Sequence, residues 1–251
     1  MVNEPSGLEV QALGKVFGSH RAVADLSFAV APGEILGLVG PNGAGKTTTL
    51  RCIAGILPPS AGTVRILGRD LAADPVGAKR ALAFLPDEPR LFEYLTVREH
   101  LNLVARLYGV AGWEAKAEGL LAGMALADKA DALTSELSRG MRQKLLVACA
   151  FLHDPAVLLL DEPLTGLDPL AIRQMKQSLR ARARAGAALV LSSHLLALVE
   201  ELCHRVLILA GGRCVALGTL EEIRARLGHA AGDASLEELF VRITEGPASV
   251  A

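Results

Sequence analysis

Aromatic residues are scarce: six Phe, two Tyr and one Trp make up 4% of the 251 residues. A core must therefore be built from Leu, Ala, Val and Ile, which the 51% hydrophobic content supplies in quantity. The chain is long enough for one large or two small domains, and its apolar content excludes disorder over most of its length. An excess of charge is missing too, with 26 Lys+Arg against 27 Asp+Glu and a net charge of −1. That balance makes no electrostatic case for nucleic acid, and none is expected as a partner. Apolar runs are short: stretches such as 145–152 fall far below the roughly 18 residues of a membrane span, so the chain is not expected to cross a bilayer by itself. The four cysteines, Cys52, Cys149, Cys203 and Cys214, form no C-x-x-C pair. Reduced, mostly buried thiols are expected rather than a disulfide frame or a zinc site. Residues 1–10 carry acidic and polar side chains and no apolar stretch of the secretory kind, which points to the cytoplasm.

What is present begins with two short, β-compatible segments, 8–17 and 22–30, expected to form antiparallel strands. The turn Ala31-Pro32-Gly33 precedes an apolar strand, 35–39, which runs into a glycine-rich loop and a helix from about Lys46. Two further apolar strands are expected at 157–160 and 188–191, the first ending in two acids and the second in Ser192-Ser193-His194. Continuous apolar strands alternating with helical stretches such as 170–185 require a parallel sheet covered on both faces, an α/β core. Residues 88–152 read as almost wholly helical, with apolar spacings of three and four at 97–108, 113–124 and 141–152. Beyond them come a helix over 195–203 and a hairpin turning at Gly211-Gly212. Thr219 with Glu222 and Ser235 with Glu238 are capping boxes that each open a helix, joined by a short linker over 228–234. Residues 245–251 are expected to fray.

The chemistry sits in three places. Gly40-Pro41-Asn42-Gly43-Ala44-Gly45-Lys46-Thr47 fits the phosphate-binding loop at every fixed position, with the required strand before it and helix after it. Glycines let successive N–H groups turn inward toward phosphates, and the helix N-terminus adds its positive end. Lys46 is expected to reach the β- and γ-phosphates of a nucleoside triphosphate, and Thr47 to offer its hydroxyl to Mg2+. Asp161 and Glu162 come after four apolar strand residues, at the carboxyl end of a buried strand where open α/β sheets hold ligands. Successive strand residues diverge, so one carboxylate can hold magnesium while the next faces the γ-phosphate and activates water. His194 ends another apolar strand on the same rim; taken alone, a single histidine is more often structural than catalytic.

This set of motifs resembles the ATP-binding cassette ATPases over roughly residues 8–218. The most specific element beyond the phosphate loop is Leu137-Ser138-Arg139-Gly140-Met141-Arg142-Gln143, similar to that family's signature at a helix start. The resemblance implies an α/β P-loop NTPase fold, mostly parallel sheet flanked by helices, with an N-terminal antiparallel β subdomain and an α-helical insertion. It places an ATPase domain over 1–227, its helical subdomain at about 88–152, and a linker, short helix and tail over 228–251. It implies ATP and Mg2+ as cofactors, held by Gly40 through Thr47 with Thr48, and metal contacts from Thr47, Asp87 and Asp161. Glu162 becomes the catalytic base, His194 the histidine that touches the γ-phosphate, and Asp168 part of a dimer-contact loop. Phe17, in Lys15-Val16-Phe17-Gly18, matches the aromatic that stacks on adenine, the alternative being a core aromatic of its strand.

Ser138 and the backbone of Gly140 form a second anion-binding arrangement at a helix N-terminus, and a second anion site wants a second nucleotide. In the family, two cassettes face head to tail, each signature closing over the other's ATP, so a second ATPase subunit, identical or related, is expected. Three residues depart from the family pattern. Asp87 stands where a glutamine usually links magnesium to the membrane partner, Arg139 replaces a usual Gly, and Met141 a usual Gln. Residues 94–101 and 236–240 resemble the drug-, lipid- and polysaccharide-exporting branch, whose permease is a separate chain. The expected role is thus an ATP-driven engine at the inner face of the cell membrane, attached to an integral membrane permease. The alternative is a soluble cassette ATPase acting on nucleic acid or ribosomes. The basic run 180–184 could face anionic lipid or simply solvent.

Overall fold

Ten strands form two sheets among the described residues of the computed structural model, which are 6–226 and 234–245. The smaller sheet begins with β1 (Leu8–Phe17) and β2 (His20–Val30), antiparallel and joined by a tight turn at Gly18. Their inward residues, among them Leu8, Val10, Leu13, Val23, Leu26 and Phe28, are buried. With β4 (Ala61–Ile66) and β5 (Arg69–Asp70) the sheet order is β2-β1-β4-β5.

The larger sheet contains β3 (Ile35–Val39), β6 (Leu82–Leu85), β7 (Val157–Asp161), β8 (Ala188–Ser192), β9 (Arg205–Ala210) and β10 (Arg213–Gly218), in the order β10-β9-β3-β8-β7-β6. Its pairings are parallel from β9 through β6, and only β10 runs antiparallel. Every residue of β3, β7 and β8 is buried, which is why these strands read as unbroken apolar runs rather than alternating ones. Parallel pairing also brings the carboxyl ends of β3, β7 and β8 to one rim. Neighbouring strands lie about 4.8 Å apart, so the loop leaving β3 and the end of β7, two strands away, are separated by roughly 10 Å.

Helices cover both faces. On one side lies a core that joins α3 (Val97–Tyr108), α4 (Trp113–Gly123), α5 (Arg139–Leu152) and α6 (Pro169–Arg184) through Leu101, Leu121, Leu145, Phe151 and Leu179 to Leu158, Leu160 and Leu191 of the sheet. On the other side α1 (Lys46–Ile53) and α2 (Pro75–Arg80) pack with the smaller sheet against Leu36, Leu38, Leu159 and Val190. A third cluster seats α7 (Leu196–Leu202), α8 (Leu220–Arg226) and α9 (Leu236–Glu245) on β9 through Val199, Ile208, Ile223, Leu236 and Leu239. No helix among the described residues is long and apolar enough to cross a membrane.

Helix starts obey the caps in the sequence. Both late capping boxes form: Thr219 N donates to Glu222 at 2.8 Å and Glu222 N to Thr219 Oγ1 at 3.2 Å, while Ser235 N donates to Glu238 at 2.9 Å and Glu238 N to Ser235 Oγ at 3.3 Å. Asp168 caps α6, its carboxylate accepting from Ala171 N at 2.8 Å with Pro169 at the first helical position.

Several expectations need correction. Residues 88–96 are not helical, because prolines at 86 and 89 interrupt the run and the segment is tied down by side chains instead. Buried His100 accepts at Nε2 from Phe92 N at 2.9 Å, and Thr134 Oγ1 donates to Phe92 O at 2.7 Å. The elements β4, β5, α2 and β6 carry too few residues to impose a period on the sequence, and none was expected from it. The thiols are less uniformly buried than composition suggested: Cys52 and Cys149 are buried, Cys203 is half-buried and Cys214 is exposed. Of the linker, 228–233 lies outside the described residues, as does 246–251 of the tail, whereas Ala234 is buried in the third cluster and residue 245 closes α9. The basic run is engaged within the fold: Arg180 pairs with Glu201, and Arg182 pairs with Asp154 and lies over the Phe151 ring.

Candidate functional site

The loop between β3 and α1 is shaped by contacts that leave no room for side chains. Gly45 has φ +102° and serves as the N-cap of α1; a Cβ there would collide with the Ala22 carbonyl. A Cβ on Gly40 would lie 2.5 Å from the Leu209 carbonyl. No side chain caps the start of α1, so its first N–H groups remain directed into the loop. Lys46 folds back over this loop, its Nζ donating to Gly40 O at 2.6 Å and to Pro41 O at 3.2 Å. Burial pushes the Lys46 ammonium below its ordinary range, while Glu162 and Asp161 pull it back up.

Opposite stands the end of β7. Asp161 is 2% exposed. Glu162 takes up a left-handed backbone at φ +50°, rare for a non-glycine residue, and its N–H donates to Ser192 O at 2.9 Å. That turn separates the two carboxylates, as divergence along a strand requires, and swings Glu162 toward the end of β8. There His194 Nδ1 lies 2.7 Å from Glu162 Oε2, and Ser193 Oγ donates to the same oxygen at 3.5 Å. Burial raises the Glu162 carboxyl above its ordinary range; His194 and Lys46 oppose that rise.

The Lys46 loop, Asp161 and Glu162 border one open pocket of about 390 Å³, while His194 stands behind Glu162 and is not part of its lining. The loop residues Asn42, Gly43, Ala44, Gly45, Lys46, Thr47 and Thr48 line it, with Asp87, Asp161 and Glu162 on the far side and Phe17 at the mouth. Gly40 and Pro41 stand behind the lining as the carbonyl partners of Lys46. Phe17 is 46% exposed, with Lys15 Nζ 5.0 Å from its ring centre, so it is no core aromatic. His20 and Ala22 complete the mouth and were missed from the sequence. The signal was available: the Gly18 turn sets His20 across the strand pair from Phe17.

The signature residues lie elsewhere. Ser138 is exposed at the N-cap of α5, where its Oγ accepts from Met141 N at 3.3 Å, and Gly140 sits in the first turn. A Cβ on Gly140 would come 3.3 Å from Gly166 O, so the signature packs against the loop that leads to Asp168. Within one chain, neither Ser138 nor Gly140 lines the pocket around Lys46. Buried Gln143, another residue missed as a connector, donates to Pro163 O at 3.3 Å and ties α5 to the segment just after Glu162. Asp87 also borders a second groove of about 740 Å³, shared with Glu88, Arg90, Ser135, Arg139 and Arg142. Phe92 and Tyr94, in the loop that leads from it to α3, are 65% and 90% exposed.

The arrangement can hold a polyphosphate against backbone N–H groups and one lysine, and can present a carboxylate of raised pKa to a water near its end. Known proteins resemble the chain that carries it. Residues 23–165 match the ABC transporter family. The chain is 36% identical to the ABC-type transporter ATP-binding protein EcsA of Bacillus subtilis (strain 168), over 95% of this chain and 96% of that one. It is 41% identical to the Nod factor export ATP-binding protein I of Paraburkholderia xenovorans (strain LB400), over 85% of this chain and 71% of that one. A solved structure of an ATP-binding subunit of an ABC transporter superposes with a TM-score of 0.90 at 39% identity, covering 94% of this chain and 98% of the other.

Proposed function

The chain belongs to the ABC transporter family, as an ATP-binding and ATP-hydrolysing subunit that works with membrane permease components, and from that premise we propose how its residues divide the work. The observation that carries this reading is the convergence of the Lys46 loop, Asp161 and Glu162 on one pocket. ATP lies with its phosphates in the loop Gly40–Thr48 and its adenine on Phe17, flanked by His20. Lys46 Nζ exchanges the Gly40 and Pro41 carbonyls for β- and γ-phosphate oxygens, a trade that a partly desolvated ammonium favours.

Among the described residues, no group of three or more His, Cys, Asp or Glu could hold a metal ion. Mg2+ does not need such a cluster: it is ordinarily held by one or two carboxylates, with phosphates and water completing its shell. Thr47, Asp161 and Asp87 would hold it, and all three line the pocket. Bound there, Mg2+ would neutralise charge on the β- and γ-phosphates. Glu162 accepts the proton of a water that attacks the γ-phosphorus. The bond from that phosphorus to its bridging oxygen breaks, leaving ADP and phosphate. His194, on the same rim, holds the Glu162 carboxylate and reaches the γ-phosphate.

The Ser138 and Gly140 segment serves a second cassette, closing over the ATP of that partner as the partner closes over this one. Closure powers transport because ATP binds the closed pair more tightly than the open one. The groove beside Asp87, with Phe92 and Tyr94, is where the permease docks, which places this chain at the cytoplasmic face of the membrane. The relatives named for export favour export over import; a role on nucleic acid has no support from them. Purified chain should hydrolyse ATP with a requirement for Mg2+, and a tagged copy should bring one integral membrane protein with it from detergent extracts. Phosphate transfer to an acceptor other than water would overturn the reading.

Two smaller results are expected. Asp87→Gln should leave turnover within about threefold, because an exposed acid that reaches magnesium through water is exchanged for the family's usual amide; a loss as deep as that of Lys46→Ala would show a role for Asp87 beyond this. The second concerns pH. A carboxyl whose pKa is raised in the folded protein keeps its proton where an exposed glutamate has lost it. Turnover should therefore fall, as pH drops, at values above the ordinary carboxylate range. His194 lowers the Glu162 pKa, so His194→Ala should leave burial less opposed and move this acid limb to still higher pH. A profile of kcat/KM against pH checks it, and a shift to lower pH would contradict the assignment.

A further inference from the structure

Thr49 Oγ1 and Ser192 Oγ are buried, and neither makes a hydrogen bond with any described residue. Both residues are fully excluded from solvent. A buried hydroxyl without a partner costs stability, and alanine or valine would fill either place without that cost. A helical threonine ordinarily returns its hydroxyl to the carbonyl four residues earlier. Here that carbonyl, Gly45 O, accepts the Thr49 N–H at 2.8 Å, and Oγ1 does not join it.

The topology sets Ser192 beside Asp161 and packs α1, which carries Thr49 on its buried stripe, over the same face of the sheet. Ser192 pairs with Asp161 in the parallel register of β8 and β7, and with Leu38 of β3 on its other side. Paired residues on neighbouring strands, about 4.8 Å apart, present side chains to the same face of the sheet. That face is fixed by period: Val190 and Leu159, two residues before Ser192 and Asp161, belong to the core that also holds Leu36, Leu38, Leu50 and Ile53. Ser192 and Asp161 therefore point toward α1. Thr49 lies on the buried stripe of α1, one turn before Ile53 and at the end nearest the phosphate loop. Leu38 is apolar, so the polar neighbour of Ser192 within the sheet is Asp161.

We propose that Thr49 and Ser192 are positioning residues for Asp161, bracketing its carboxylate from α1 and from β8 and donating to it when it engages the metal of a bound nucleotide. The inference rests on the assignment of Asp161 to magnesium made above. It accounts for two unmatched hydroxyls where packing alone would select apolar residues: they are held in reserve for the liganded state, at some expense in stability.

The test uses the full chain, Mn2+ as a spectroscopic substitute for Mg2+, and a non-hydrolysable ATP analogue with an imido bridge. Mn2+ affinity of the analogue-bound protein is measured by electron paramagnetic resonance, beside analogue affinity in chelator. Ser192→Ala and Thr49→Val should each weaken Mn2+ binding about tenfold, within the range typical of residues that support a metal ligand. Metal-free analogue affinity should stay within about twofold and melting temperature should hold or rise by about 2–4 °C. Thr49→Ser, which keeps the hydroxyl, should restore the metal affinity; it and Thr49→Val carry the test should Ser192→Ala fail to fold. Unchanged Mn2+ affinity in both variants would overturn the inference, as would equal losses with and without metal, which would mean a damaged loop. If the unmodified chain binds the analogue but gains no Mn2+ site with it, the magnesium assignment itself falls, a distinct result.

Discussion

Glu162→Gln is expected to lower ATP turnover by about 10²–10⁴-fold, the contribution of a positioned general base, while ATP remains bound. The change is nearly isosteric. The backbone stays at φ +50° with its N–H on Ser192 O, and an amide oxygen can still accept from His194, so the local frame that orients the group survives. What is lost is the ability to take a proton from water. Binding should tighten, because a negative charge beside Asp161 and near the γ-phosphate is removed while Lys46 stays in place. Stability at neutral pH should not suffer either: burial disfavours the ionised form of Glu162 in the folded protein, so a neutral side chain there avoids a cost. Retention of labelled ATP after rapid gel filtration, together with a mass in solution near twice that of the chain, would be the result that bears this out. Ordinary turnover by the variant would move the base to another residue.

The phosphate loop was legible in the sequence because its glycine positions are dictated by backbone geometry and its lysine and threonine by phosphate chemistry. At Gly40 and Gly45 the Leu209 and Ala22 carbonyls approach too closely for any Cβ, so the glycines are steric necessities that leave a pattern. Asp161 and Glu162 were legible for another reason: two acids at the end of a fully buried strand have no structural use that would outweigh their desolvation. The parallel order of β3, β8 and β7 was legible from continuous apolar runs.

Other features left no such trace. The contact of His194 with Glu162 joins residues 32 apart and depends on one left-handed φ, which no residue preference announces at a glutamate. β6 has only four residues, and its role as the edge of the sheet comes from its partner β7 rather than from its own period. The loop 88–96 carried apolar residues at nearly helical spacing, yet His100 and Thr134, from outside it, decide its path. Thr49 and Ser192 are the clearest case. Their residue types look ordinary after a lysine-threonine pair and before a histidine, and only their burial without partners marks them.

Ser138→Arg should reduce hydrolysis at least tenfold and leave ATP affinity within about twofold, since an interaction made only in the closed state is removed. Ser138 lies outside its own chain's pocket, so a bulky, charged side chain there cannot touch nucleotide held by Lys46 of the same chain. Loss of its cap on Met141 N costs about 1 kcal/mol. α5 tolerates this because buried Leu145, Phe151 and Leu152 anchor its remaining length, and a melting curve can confirm that the fold persists. Mixing supplies the decisive arm. If the chain pairs with itself, each closed site joins Lys46 of one copy to Ser138 of the other. A dimer of Ser138→Arg with Lys46→Ala then concentrates both defects in one site and leaves the other whole. Equal amounts of two inactive variants, exchanged into mixed dimers, should recover about a quarter of the unmodified rate if sites act independently. Recovery of nothing, with exchange shown by light scattering on tagged copies, would mean that the second cassette is a different chain or that Ser138 does not cross to a partner's nucleotide. The first case is separated from the second by adding the sister chain, which alone should restore turnover to Lys46-intact protein.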